Sequence, residues 1–211
     1  MSQNLRSPVA PNIPLAPIEY QQGYHDQTAN VLRLYFNQLN NLTQQLTGPT
    51  GGGYLKFPNG SFYNTVRQTT LGNVEEKISF TGTSASNGVS IDSTNNTRIV
   101  VTMPGYYNFQ FSLQLLKTGG GNVDFFIWPK VNGAGVDNSN SKESLNGGAN
   151  EAKIAAWNFV LPMNKDDYFE LAWSASNNTA VIEAFSAPVL PPSPAVPPAL
   201  LTATFVSALY P

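Results

Sequence analysis

The chain has 211 residues, a formal net charge of −2 and only 11% charged residues, against roughly 25% in an average soluble protein. Its 23 asparagines replace the missing charges, and without a basic stripe we expect no nucleic-acid partner. The chain contains no cysteine, which excludes disulfides and thiolate metal sites, and no run of about 18 apolar residues, so we expect no membrane partner.

Residues 1–24 are predicted to form an extended, Pro-rich docking arm. Proline recurs at every third position from Pro8 to Pro17, and proline holds itself and its predecessor in extended conformations. A disordered tail is the alternative, but such tails are usually poorer in apolar groups. We therefore predict that the apolar part of the arm docks to another protein, through Ile13, Pro14, Leu15, Pro17, Ile18 and Tyr20.

Residues 25–47 have the period of a helix. The spacing of 3 and 4 that is typical of a coiled-coil seam joins Leu32, Tyr35, Leu39, Leu42 and Leu46. We predict that this helix self-associates as a trimer, and the alternative is that it packs on the chain's own β domain. Residues 48–58, rich in Gly and Pro, are predicted to be a linker.

Residues 59–211 are predicted to form one mainly β domain. In residues 104–115, PGYYNFQFSLQL, apolar side chains alternate with amides and a serine, as in a half-buried antiparallel strand. Similar runs recur along the domain without helical pattern between them, which indicates a sandwich or jelly roll. The last run follows a Pro-rich stretch at residues 188–198, and we predict that it returns to a central position in a sheet.

The residues expected of an enzyme or a metal site are missing. The pairs Glu75–Glu76 and Asp166–Asp167 are adjacent in sequence, so their side chains diverge on a strand. A serine nucleophile needs a base, and the only histidine is His25, in the helical segment. We predict no enzymatic activity, no metal site and no cofactor. The sequence does not decide whether calcium binds, since Asp92, Asp124 and Asp137 are potential ligands but do not have the spacing of a calcium loop.

Three segments of the β domain resemble a known superfamily. Residues 104–109 (PGYYNF), 165–171 (KDDYFEL) and 204–210 (TFVSALY) resemble strands of the complement globular-head and tumour necrosis factor superfamily. The resemblance implies a ten-stranded antiparallel jelly roll that forms a compact homotrimer. It also implies a jelly-roll core that contains Tyr107, Phe109, Phe111, Phe169 and Phe205.

The N-terminal part resembles a narrower group. Residues 14–20 (PLAPIEY) followed by residues 31–39 (VLRLYFNQL) resemble the start of structural proteins of marine tailed bacteriophages, notably cyanophages. There this start also precedes a jelly roll. The resemblance implies a virion protein, assembled in the host cytoplasm, whose partners are other capsid or tail proteins.

Three functional interpretations follow. The first is a trimeric capsid decoration or knob protein docked by its arm, and the second is a tail fibre or receptor-binding protein that recognises a host surface glycan or protein. The third is a carbohydrate-binding module that uses Trp128, Tyr106 or Trp157 to stack on sugars. Core packing is the competing role of the three tryptophans, Trp128, Trp157 and Trp173.

Overall fold

The structure, a computed structural model, describes residues 8–13, 15–47 and 57–209. The chain divides into two compact units, Met1–Lys56 and Phe57–Pro211. Pro14 and most of the predicted linker, residues 48–56, lie outside the described residues.

The first unit contains one helix, α1, at Gln22–Thr47. It begins three residues before the predicted start at His25, because the carbonyl of Gln21 already accepts hydrogen bonds from the amides of Tyr24 (3.1 Å) and His25 (3.4 Å). Residues 22–24, assigned to the arm from the sequence, are therefore helical. The described arm residues, 8–13 and 15–21, form neither helix nor strand.

The second unit is built of antiparallel strands. The sequence predicted ten strands, and the described residues form fourteen; among them are short strands of two or three residues that pair with the longer ones. In chain order the strands are β1 (Asn59–Asn64), β2 (Gln68–Thr69), β3 (Glu76–Lys77), β4 (Gly82–Asn87), β5 (Val89–Ile91), β6 (Ile99–Val101), β7 (Gly105–Lys117), β8 (Val123–Val131), β9 (Ala134–Gly135), β10 (Ser141–Leu145), β11 (Ala152–Met163), β12 (Tyr168–Ala175), β13 (Ala180–Ile182) and β14 (Ala199–Ser207).

The strands form two seven-stranded sheets with jelly-roll winding. The first sheet runs β2-β13-β7-β14-β1-β4, with β11 on the other edge of β7, and the second runs β10-β8-β12-β6-β5, with β3 beside β12 and β9 beside β8. The chain alternates between the sheets, from β6 to β7 to β8 and from β10 to β11 to β12, so that strands distant in sequence pair. That winding is typical of a jelly roll. The last strand, β14, lies centrally between β7 and β1, as the sequence predicts.

The core lies between the two sheets and is rich in aromatic side chains. Phe109 of the first sheet stacks on Phe169 of the second, with ring centroids 4.1 Å apart. Tyr107, Phe109, Phe111 and Phe169 are buried, and Phe205 is half-buried against them. The hydroxyl of Tyr107 donates a hydrogen bond to the carbonyl oxygen of Met103 (2.8 Å), and burial raises the pKa of this phenol.

Gly105, in the Pro-Gly pair that begins residues 104–109, has a steric role. Gly105 is the first residue of β7, and a Cβ atom there would lie 2.8 Å from the backbone oxygen of Ser207 and 2.3 Å from the Phe205 ring. Because both neighbours belong to β14, the absence of a side chain at this position allows β14 to approach β7 closely.

Candidate functional site

The outer face of the first sheet is the most distinctive surface of the β domain. Strand register places outward side chains of β11, β7, β14, β1 and β4 in rows across it. The central row contains amides, hydroxyls and one methyl group, and the rows beside it add three larger apolar side chains. The central row is Asn158, Gln110, Thr202, Ser61 and Ala85; beside it lie Ala156, Ser112, Leu200, Tyr63 and Gly82, and on the other side Val160, Asn108, Thr204, Asn59 and Asn87.

We call these fifteen residues the first-sheet face. None of them is Asp, Glu, Lys or Arg, although both signs of charge are usually scattered over a solvated protein surface. Leu200 and Val160 are 43% and 54% exposed, and Asn158 donates a hydrogen bond to Asn108 across β11 and β7 (3.2 Å). A surface without charge avoids the large cost of desolvating charged groups, and its amides and hydroxyls can form hydrogen bonds across a contact, so it is suited to contact with protein.

An apolar cleft of about 540 Å³ adjoins this face at Tyr63. Its opposite wall is the chain after β13, where Phe185 and Val196 pair through two backbone hydrogen bonds of 3.0 and 2.8 Å. The loop between them exposes Val189 and Leu190 almost completely. The cleft thus extends the apolar part of the surface beyond the strands.

The predicted self-association residues lie on α1. Among the side chains described from Gln22 to Leu46, none is buried; Leu32, Tyr35 and Leu42 are half-buried, while Leu39 and Leu46 are slightly more than one third exposed. Asp26 and Arg33 are the only residues in the helix sequence with a full charge. The helix therefore presents an apolar seam on a nearly uncharged surface.

The predicted docking residues of the arm are exposed. Leu15, Ile18 and Tyr20 are 95%, 106% and 80% exposed, and Ile13 is 46% exposed, whereas Pro17 is half-buried. Pro14 lies outside the described residues. The Tyr20 ring stacks on the His25 ring in the first turns of α1, with centroids 5.0 Å apart, so this end of the arm is held to the helix.

A buried carboxylate joins three strands on the outer side of the second sheet. Glu170 is fully buried and accepts hydrogen bonds from Lys77 Nζ (3.1 Å) and Thr97 Oγ1 (3.0 Å), with Arg98 Nε at 3.6 Å. The Arg98 guanidinium lies over the Tyr168 ring, 4.3 Å from its centroid. These partners come from β3 and from the chain leading into β6, so the cluster ties both to β12.

A buried lysine ties two loops together at the end of β7. Lys117 is fully buried, and its Nζ donates to the carbonyl oxygens of Gly121 (2.6 Å), Leu145 (3.2 Å) and Gly147 (2.6 Å). Glu151 Oε2 lies 3.5 Å away. Every contact is backbone or a paired carboxylate, so the role of this lysine is structural.

The acidic residues considered as calcium ligands do not form a site. No group of three or more His, Cys, Asp or Glu with metal-binding geometry occurs in the described part of the chain. Asp92 Oδ1 accepts hydrogen bonds from the amide and hydroxyl of Thr94, and Asp124 pairs with Lys142 (2.9 Å) and Ser144 (2.6 Å). These hydrogen bonds lower the pKa of both carboxyls. Within residues 8–13, 15–47 and 57–209, no helix has the length and apolarity needed to cross a membrane.

The candidate sugar-stacking residues are widely separated. Trp157 points inward and contacts Phe111, Tyr106 lies on the outer side of the first sheet beside Pro162, and Trp128 lies half-buried on the outer side of the second sheet, in the wall of two clefts. Trp173 is in the core. Of these residues, Trp128 is half-buried and lines two clefts in the part of the chain that the structure describes.

Sequence reasoning missed the first-sheet face and the burial of Lys117. The signal for the face was present in the uncharged outward positions of β7, but its continuation onto β11, β14 and β1 depends on strand order. Lys117 has the same parity as Leu113 and Leu115, which points it into the core. That parity could have identified it as a buried cation.

No protein-family model matches the chain, and no curated protein matches it. Among solved structures, it is similar to Eiger TNF from S. frugiperda, with 9% sequence identity, coverage of 74% of this chain and 96% of that chain, and a TM-score of 0.47. It is also similar to the globular domain of zebrafish complement 1qA protein, with 12% identity, coverage of 73% and 100%, and a TM-score of 0.47. At this level of similarity, neither likeness assigns a function or an oligomeric state to the chain.

Proposed function

We propose that this protein is a non-enzymatic structural protein of a phage virion, a homotrimer that docks to the particle through its N-terminal arm. The observation that carries the proposal is the first-sheet face, which has no charged residue and is partly apolar. The resemblance of residues 14–20 and 31–39 to phage structural proteins supports the virion, and that of residues 104–109 supports the trimer.

The size of the first-sheet face suits a protein interface. Five strands, each about 4.8 Å wide, cover about 24 Å, and the three rows, each about 6.8 Å wide, cover about 20 Å. The face therefore has an area of roughly 500 Å², more than half of the 800 Å² or so that each partner contributes to a standard interface. In a ring of three, this face would contact a different surface of the neighbouring chain.

The helix would add a second contact between the same three chains. Its seam covers Leu32 to Leu46, and Val31 and Phe36 flank the seam and widen the apolar surface. Fewer than four heptads are marginal in isolation, so we expect α1 to reinforce an association that the β domain begins.

Trimerisation would make the arm an effective anchor. Each arm offers a few exposed apolar side chains, such as Leu15 and Ile18, which alone would bind weakly. Three arms on one particle would bind with an effective concentration in the millimolar range, raising the overall affinity by about 10² or more.

Capsid decoration fits the dimensions better than a tail fibre does. The 26 residues of α1 give a rod of about 39 Å, which is too short for the long shaft expected of a fibre. Quantitative gel analysis of purified particles tests this placement. Hundreds of copies per particle would support decoration, whereas a dozen or so would indicate the tail.

Docking through the arm is tested by binding to particles that lack the protein. We expect the full chain to bind such particles and a variant without residues 1–20 to lose that binding while keeping its oligomeric mass. Failure of the full chain to bind, or full binding by the truncated chain, would refute arm docking. Absence of the protein from purified virions would refute the virion assignment.

A further inference from the structure

The outer side of the second sheet carries two clefts that share an aromatic ridge. Phe126 and Trp128 are alternate residues of β8, both half-buried with their side chains on the outer side. A cleft of about 360 Å³ lies on one side of them, lined by Gly135, Val136 and Asn140 among others. A second, of about 350 Å³, lies on the other side and reaches Asn73 and Glu75. Each is within the usual size range of a small-ligand site.

A glycine keeps the indole of Trp128 uncovered. Gly135, in β9, pairs with Lys130 of β8, and a Cβ atom at this position would lie 3.7 Å from Trp128 Cδ1 and 3.8 Å from Nε1. These are ordinary contact distances, so a larger side chain at position 135 would fold over the ring without displacing backbone. The ring edge is open because this residue has no side chain.

The polar groups around the ridge have unused hydrogen-bonding capacity. The side chains of Asp137, Asn138 and Asn140 are exposed and make no hydrogen bond to other described residues. The nearby full charges are mostly paired: Glu75 with Lys130, and Lys142 with Asp124, with Lys142 Nζ also 5.8 Å from the Phe126 ring centroid. The open donors and acceptors are therefore amides and one carboxylate.

We propose that this ridge and its clefts bind a neutral saccharide. The C–H faces of a sugar ring stack on an indole or phenyl ring, which contributes apolar contact. Its hydroxyls both donate and accept, so they match amide and carboxylate groups that have no internal partner. A phosphorylated or sulfated ligand would find no unpaired cation in the clefts as described, whereas an uncharged polyol needs none. The binding site does not depend on trimerisation or on the arm.

Two variants test the site by different means, and both should weaken binding. Trp128→Ala removes the stacking ring, and Gly135→Val covers the ring while leaving it in place. Gly120→Val is the matched control, since a Cβ atom at Gly120 meets nothing within 4 Å and this glycine, like Gly135, does not have a positive φ. Far-UV circular dichroism and thermal melting of all three establish that each variant is folded.

The experiment is binding of the full chain to an array of immobilised neutral and anionic oligosaccharides, with calorimetry on the strongest neutral binder. We expect at least one neutral oligosaccharide to bind the wild type, and both Trp128→Ala and Gly135→Val to weaken that binding by about tenfold or more. Gly120→Val should bind like the wild type. Three results would overturn the proposal: no neutral binder, binding of anionic members only, or unchanged affinity in a folded Gly135→Val variant. None of these bears on the mass of the assembly, so the proposed function is tested separately.

Discussion

Gly105 determines how closely β14 approaches β7. The Gly105→Ala variant would place its methyl carbon 2.8 Å from the Ser207 carbonyl oxygen, and because that atom is backbone, β14 has to move. We expect a loss of about 1–3 kcal/mol in the free energy of unfolding, measured by urea denaturation. Gly120→Ala, in open space, should lie within about 0.5 kcal/mol of the wild type; equal losses in both variants would contradict the steric account.

Lys117 is predicted to matter more for stability than any exposed lysine. Lys117→Met removes the donor to three carbonyl oxygens. Because buried acceptors without a donor are costly, we expect the free energy of unfolding to fall by about 3 kcal/mol. Lys153→Met is the control: its Nζ also donates to a carbonyl, that of Ser144, but its side chain is 43% exposed. Its loss should cost less than about 1 kcal/mol, and a comparable loss in both variants would show that burial is not the cause.

The faces of side chains on a strand could be predicted from the sequence, but contacts between strands could not. Alternation in residues 104–115 correctly indicated that Tyr107, Phe109 and Phe111 share a face, because parity is local information. The contact of Phe109 with Phe169, 60 residues later, needs the sheet pairing. The same limit applies to Glu170, whose partners Lys77 and Thr97 are brought to it only by the fold.

At the scale of elements, α1 offers a test of its seam. Leu39→Glu places a carboxylate on the 3-and-4 repeat, whereas Leu34→Glu places it off the repeat at a side chain that is more exposed (61% against 37%). If the seam joins chains, Leu39→Glu should weaken association by about tenfold or more because a charge would be desolvated there. Sedimentation at several concentrations measures this, and equal effects of both substitutions would exclude the seam.

The turn after β5 predicts a pH dependence. Hydrogen bonds from Thr94, with Arg98 at 4.0 Å, hold the pKa of Asp92 below its usual value. A carboxyl whose pKa is lower in the folded chain stabilises the fold above its unfolded pKa, and this contribution disappears as pH falls through the folded value. The Asp92→Asn variant lacks the charge but can keep the turn.

We therefore expect the wild type to be more stable than Asp92→Asn near neutral pH, and this difference to shrink below about pH 4. Urea denaturation of both chains at pH 7, 5, 4 and 3 measures it. The difference between the free energies of unfolding of the two chains at each pH does not contain the contribution of Asp124, because both chains share it. The pKa of Asp124 is also lowered. Parallel stability curves for the two chains would contradict the account.

Element boundaries were predicted less well than element types. The helix and the long strand β7 were recognisable from period alone, but the helix start was three residues late because Gly23 weakens the helical signal. The short strands β2, β3 and β9 have only two residues each, too few for any alternation to show. They exist because longer neighbours supply hydrogen-bond partners.

At the scale of the whole molecule, the two faces of the jelly roll differ in chemistry. The first-sheet face has no charged residue, and the cleft that adjoins it at Tyr63 is apolar, which suits contact with copies of the chain. The outer side of the second sheet has ion pairs, two clefts and an uncovered indole. Composition predicted an uncharged surface in general, but strand order was required to show that the fifteen uncharged residues of the first-sheet face lie together.

Assembly mass tests the central claim most directly. Light scattering coupled to size-exclusion chromatography should give a mass three times that of the 22.8 kDa chain for the wild type and for Ser90→Lys, an exposed position outside the first-sheet face. Gln110→Lys, in the central row, should lower that mass, because the lysine would be desolvated at the contact. A wild type that runs as a monomer at all concentrations, or a Gln110→Lys variant with unchanged trimer mass, would contradict self-association through this face.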